Sequence, residues 1–187
     1  RVTMQTQTPL FFGKILTGQT NFNLNASSIA STTQLATFAI GSRLASLNGG
    51  LLNSLLGGML GTSLSLSAMD YQNLINAQVN IFDFMSALAT RASLTGVSYD
   101  TLLSSNLKVT DVVSALQSSV NTSGATAALS SVLSSIAGLS TKISLSSLVD
   151  PGPYGTMITG QQPKVAVNVA AFDLLSAMGQ IANGTNQ

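Results

Sequence analysis

The chain contains no glutamate, histidine, cysteine or tryptophan, and only 7% of its 187 residues are charged. An ordinary soluble domain is about 25% charged. Without histidine or cysteine, the common catalytic triads and zinc sites cannot be built. Without cysteine there are no disulfides either, although that alone does not fix the compartment. The net charge of +1 comes with no basic stripe, so the electrostatic footprint of a nucleic-acid binder is missing. Six aspartates remain, and none lies within three residues of another. A carboxylate pair would need tertiary coincidence. The expectation is a protein with no catalytic, cofactor-binding or metal-ligating residues, and not an enzyme.

What is present is serine, threonine, asparagine, glutamine and small aliphatics. A surface built from these is weakly hydrated and has little like-charge repulsion to keep copies apart. With 45% hydrophobic residues the chain has enough material for a core, and at this length roughly 70% of the unfolded surface can be buried. The apolar set is mainly leucine, alanine, valine and isoleucine, which predicts an aliphatic core. The chain reads as something that packs and assembles.

No secretory signal is visible, and the opening Arg1, Val2, Thr3, Met4 suggests a fragment or processed product. Residues 43–70 are the one stretch that invites comparison with a membrane span. Glycine, serine, Asn48 and Asn53 interrupt it every few residues, whereas a span needs about 20 predominantly apolar residues. It reads as a buried, glycine-punctuated core segment.

Along the chain, residues 2–8 alternate apolar and polar and end at Pro9, the pattern of a half-buried strand. Residues 10–16 suggest helical turns, residues 21–26 a second strand, and residues 31–47 a loose helix broken by Gly41. Residues 49–61 read as an apolar helix fenced by glycines that permit close backbone approach. This run lacks the Lys-Ser/Thr ending of a phosphate-cradling loop, which makes it a packing feature. Residues 62–68 alternate strictly and predict a strand with one buried face.

One segment is echoed. Val79, Asn80 and Ile81 followed by Phe82 and Asp83 resemble Val167, Asn168 and Val169 followed by Phe172 and Asp173. Asn80 is placed to cap a helix, and Asp83 and Asp173 to compensate helix dipoles. Ser98, Thr110 and Ser146 are further N-cap candidates, each ahead of a short helix. Residues 121–138, rich in alanine, serine, leucine and valine, suit a helix. Residues 150–155 (Asp-Pro-Gly-Pro-Tyr-Gly) form a turn that divides a main lobe, residues 1–150, from a C-terminal strand–helix unit, residues 151–187, packed into the same domain. Residues 164–169 alternate like a strand. Arg91 suits a helix C-terminal end, and Arg43 is a candidate for a buried ion pair with an aspartate. Asn-x-Ser/Thr triplets at Asn25, Asn121 and Asn183 carry no weight in so polar a chain.

Residues 39–53, residues 55–61, the Ser-Leu stretch that follows and Asp70, Tyr71 and Gln72 together resemble TadG-like proteins of bacterial tight-adherence (Flp) pilus systems. Tyr99 to Leu103, the closing Ala171 to Ala177 with Ile181 to Gly184, and the opening Val2 and Thr3 leading to Pro9 and Phe12 agree with that pattern. The resemblance implies an exported region that follows an N-terminal membrane anchor in the precursor. It implies no catalytic residues.

The fold expected is α+β, with short helices packed on a small, mainly antiparallel sheet. The function expected is a structural surface protein, extracellular or alternatively periplasmic. Its partners would be copies of itself or pilus-system proteins, with no nucleic acid, no cofactor and no membrane span within the chain. Val2, Met4, Thr6 and Thr8 form the candidate assembly strand, suited to strand addition onto a neighbour. The alternative is a monomeric adaptor or adhesin-type binding module.

Overall fold

The computed structural model describes residues 2–9, 21–28 and 49–184. The helical turns expected at 10–16, the loose helix at 31–47 and the proposed ion pair of Arg43 lie outside the described residues. The chain divides into two compact units, Arg1–Gln34 and Leu35–Gln187. The turn at residues 150–155 lies within the second unit.

In the first unit, β1 (Val2–Pro9) pairs antiparallel with β2 (Asn21–Ser28) over the full length of both. The register sets Met4 opposite Ala26, Thr6 opposite Leu24 and Thr8 opposite Phe22. Directly opposed residues share a face of an antiparallel pair. Positions 2, 4, 6 and 8 therefore share one face with positions 22, 24, 26 and 28.

The second unit is helical. In chain order it comprises α1 (Gly49–Leu60), α2 (Ala68–Asn76), β3 (Gln78–Asn80), α3 (Ile81–Arg91), α4 (Tyr99–Ser104), β4 (Leu107–Lys108), α5 (Val109–Ser119), α6 (Ser123–Ile136), β5 (Lys142–Ile143), a 3₁₀ turn (Gly152–Tyr154), β6 (Asn168–Ala170) and α7 (Ala171–Gly184). Over half of the described residues are helical, so the chain is α+β as expected. Its strands form separate two-stranded antiparallel pairs rather than one sheet: β1 with β2, β3 with β6, and β4 with β5. Helix α3 packs on α5, α5 on α6, α1 on α7, and α2 on both α6 and α7. The core is aliphatic with an aromatic centre, where Tyr71, Tyr99, Phe82 and Phe84 are the largest fully buried side chains. Phe82 meets the rings of Tyr99 and Tyr154 edge-on, with centroids 5.6 and 5.7 Å away. Edge-to-face contact is the geometry ring quadrupoles favour.

A single device starts most of these helices. A strand residue leads straight into the first helical turn, whose N–H groups have no partner inside the helix. The first of these N–H groups donates instead to the carbonyl of the residue just before the opposing strand or bridge. Ile81 donates to the Val167 carbonyl, Ala171 to Ala77, Val109 to Thr141 and Tyr99 to Met157, all at 2.9–3.1 Å. β3 to β6 are only two or three residues long, enough to position these helix starts.

Four local expectations are corrected. Residues 62–68 form no strand: Ala68 already belongs to α2, and the preceding residues pair with no strand in the described structure. The burial alternation is nonetheless real, with Leu64 and Leu66 buried and Ser63, Ser65 and Ser67 exposed. Thr110 is not a cap, because α5 starts one residue earlier and the sheet already takes the Val109 N–H. Ser146 opens only a turn. Of residues 164–169, only Asn168 and Val169 enter a strand.

Candidate assembly surface

Each aspartate of the body serves local backbone. Asp70, Asp83, Asp100, Asp111 and Asp173 all lie in first helical turns, where a carboxylate meets the positive end of the dipole. The sixth, Asp150, accepts the Gly152 N–H at 2.9 Å and shapes the turn there. Asp70 completes a capping box, accepting the Ser67 N–H at 2.8 Å while its own N–H donates to the Ser67 hydroxyl at 3.2 Å. This Ser-x-x-Asp signature was visible in the sequence and was missed. Asn80 caps α3 as expected, accepting from Phe82 and Asp83, and Ser98 caps α4, accepting from Thr101. The Asp83 carboxylate also accepts from the Gln162 side chain. Burial pushes the Asp173 carboxyl above its usual range. No group of carboxylates among the described residues is placed to hold a metal ion.

The surface hydroxyls are also turned inward. On α6, Thr126, Ser130, Ser131, Ser134 and Ser135 each donate to the carbonyl four residues back. Such back-bonding satisfies the hydroxyl within the helix and leaves it less to offer water. On α6, then, these five hydroxyls are satisfied within the helix. Arg91, at the last turn of α3, donates to the Ser118 hydroxyl at 3.2 Å. Helix α1 is 12 residues long, and no helix among the described residues is long and apolar enough to cross a membrane.

One polar side chain that sequence reading overlooked organises the region after α1. The Asn53 carboxamide donates to the Leu66 carbonyl and accepts the Leu66 N–H, both at 2.8 Å. Its oxygen also accepts the Tyr71 hydroxyl at 2.9 Å. The side chain does for Leu66 what a neighbouring strand would do. Tyr71 is 2% exposed and meets Phe172 edge-on. Burial, with a smaller contribution from the Asp70 charge, pushes its phenol up to about 12. Above this segment, Gly61 at φ +69° ends α1, and the Thr62 N–H donates back to the Gly57 carbonyl at 2.8 Å. A groove of about 410 Å³ runs alongside, lined by Asn53, Ser54 and residues 62–65.

The candidate assembly strand is β1 itself. Val2, Met4, Thr6 and Thr8 are in it at alternate positions, and it pairs with one strand only, β2. Its second edge has no strand partner among the described residues. Gln5, Thr6 and Gln7 are exposed, and no charged residue occurs between Val2 and Pro9. Arg43, outside the described residues, joins no site here.

Together these elements define a helix-rich α+β unit assembled from strand-to-helix junctions, and a separate unit that holds a two-stranded ribbon. Residues 48–180 match the family described as a domain of unknown function, DUF8293, and the chain belongs to that family. The ribbon falls outside the matched residues. No curated protein and no solved structure matches the chain.

Proposed function

We propose that the chain is a non-catalytic structural protein of the bacterial surface, an exported part of a TadG-like, tight-adherence pilus system, which associates with its own copies through strand addition by β1. The observation that carries this reading is the uncharged β1, bonded to β2 along one edge and without a strand partner along the other among the described residues. Native edges are normally blunted by lysine, proline within the strand or a bulge; β1 has proline only at its last residue. The inward-bonded hydroxyls of α6 and the 7% charge content support the same reading, since both lower the cost of covering the surface. The pilus assignment itself is supported by the sequence resemblance alone. Deleting residues 1–9 tests the role of β1: the body stays folded by circular dichroism and assembly is lost. Intact assemblies from the truncated chain would refute that role. The monomeric adaptor reading predicts instead a sedimentation coefficient independent of concentration.

A further inference from the structure

Two stretches of the helical body run exposed and outside any strand pair. In residues 163–166, no backbone group is hydrogen-bonded among the described residues, and Val165 is 43% exposed. That stretch is guarded. Pro163 has no N–H to offer and Lys164 places a charge on it, the two standard devices against unwanted strand pairing.

Residues 62–67 carry neither device. They hold no charge and no proline. Leu64 and Leu66 are buried and Asn53 grips Leu66, which fixes the run against the core. The backbone groups of Ser63, Leu64 and Ser65 make no hydrogen bond among the described residues. In an extended run, successive residues aim their backbone groups to opposite sides. With the Leu66 groups turned toward Asn53, those of Ser63 and Ser65 face the other way. Met69, two residues beyond, is 67% exposed, the most exposed large apolar side chain described. The segment is an uncharged run, not paired in any sheet, whose Ser63 and Ser65 backbone groups have no hydrogen-bond partner among the described residues.

We infer that residues 62–67 are the acceptor edge for β1 of a second copy of this chain. The inference rests on the assembly reading above and names the surface it uses. Among the uncharged strands, β1 is the better donor. It has Val2, Thr3, Thr6 and Thr8, β-branched residues that suit a strand, whereas β2 has Asn21, Asn23 and Asn25, which strands disfavour. Neither edge brings a charge that pairing would have to desolvate. The donor belongs to a compact unit separate from the body that carries the acceptor.

The absence of native cysteine makes a direct test clean. Thr6→Cys and Ser65→Cys chains are mixed and oxidised, with Met4→Cys and Thr8→Cys covering neighbouring registers and Ser147→Cys, on an exposed turn, as control. Opposed residues in an antiparallel pair lie about 4.5–5.5 Å apart at Cα, within disulfide reach. Disulfide-linked heterodimers from at least one β1 cysteine with Ser65→Cys, and not with Ser147→Cys, are expected. In parallel, Ser65→Lys places a charge on the acceptor edge without touching the core. It should retain the wild-type melting curve and lose assembly. If wild type assembles while folded Ser65→Lys assembles equally and no selective cross-link forms, the acceptor assignment is wrong and the assembly reading stands. If wild type does not assemble at all, both fall.

Discussion

Val79 and Val169 face each other at the centre of the β3–β6 pair, and the structure around them repeats about that point. Gln78 opposes Ala170 and Asn80 opposes Asn168. The Ile81 N–H donates to Val167 and the Ala171 N–H to Ala77, both at 2.9 Å. A local two-fold thus relates the two strand–helix units; it makes Phe82 and Asp83 equivalent to Phe172 and Asp173, as the sequence echo has them, but Val79 and Asn80 equivalent to Val169 and Ala170, not to the Val167 and Asn168 of the echo. Each copy supplies the partner that starts the other copy's helix.

The symmetry is broken at the cap. Asn80, which caps α3, corresponds to Ala170 in the second copy. Asn80→Ala removes the acceptor for the Phe82 and Asp83 N–H groups and should cost about 1 kcal/mol, read by urea unfolding. An unchanged midpoint would mean that the Val167 carbonyl alone suffices to start the helix.

Adjacent glycines in α1 should behave oppositely. A Cβ at Gly57 would lie 2.5 Å from the Thr62 carbonyl oxygen, a backbone atom that cannot swing away, whereas at Gly58 nothing lies within 4 Å. Gly57→Ala should destabilise by about 1–3 kcal/mol through overpacking. Gly58→Ala should stabilise by about 0.5–1 kcal/mol through helix propensity. Thermal melts of the two variants settle the comparison.

Tyr71 makes stability sensitive to high pH. Its phenol ionises near pH 10 in the unfolded chain and at about 12 in the fold. The folded state therefore holds the proton more tightly, and the phenol's contribution is fully present below pH 10 and lost as pH rises toward 12. Tyr71→Phe should lower stability at neutral pH, by loss of the bond to Asn53, and flatten the decline between pH 10 and 12. An unaltered slope would place the sensitivity elsewhere.

Asp173 works in the same direction at low pH. Burial raises its folded pKa above the usual 3.8, so the stability it contributes is complete below that value and falls as pH rises through the shifted one. Asp173→Asn should match wild type in strong acid and exceed it at neutral pH. Lower stability than wild type at neutral pH would show that the dipole of α7 outweighs the burial.

What was legible in the sequence is what short-range chemistry decides. The alternation of residues 2–8 and 21–26 became β1 and β2, Asn80 and Ser98 became caps, and the glycine-fenced leucines became α1. The aspartates near helix starts were placed correctly for Asp83 and Asp173. Apart from the local Ser67–Asp70 capping box, two misses share one physical reason, which is that the satisfying partner is distant in sequence. Residues 62–68 have a strand's pattern, but their neighbour is the Asn53 side chain, 13 residues from Leu66. Thr110 has a cap's chemistry, but the Thr141 carbonyl across the β4–β5 pair had already taken the leading N–H of α5. The β1 edge without a strand partner among the described residues could be suggested from alternation, whereas the unguarded run at 62–67 emerged only once the hydrogen bonds were laid out.

The central claim is that a chain with so little charge, and with β1 unpaired along one edge among the described residues, associates with further copies. Sedimentation velocity of the intact chain over a wide concentration series, with negative-stain images of the same samples, tests it most directly. The account predicts species that grow with concentration and regular particles or fibres in the images. A lone monomer boundary at every concentration, with only isolated particles on the grid, would contradict it.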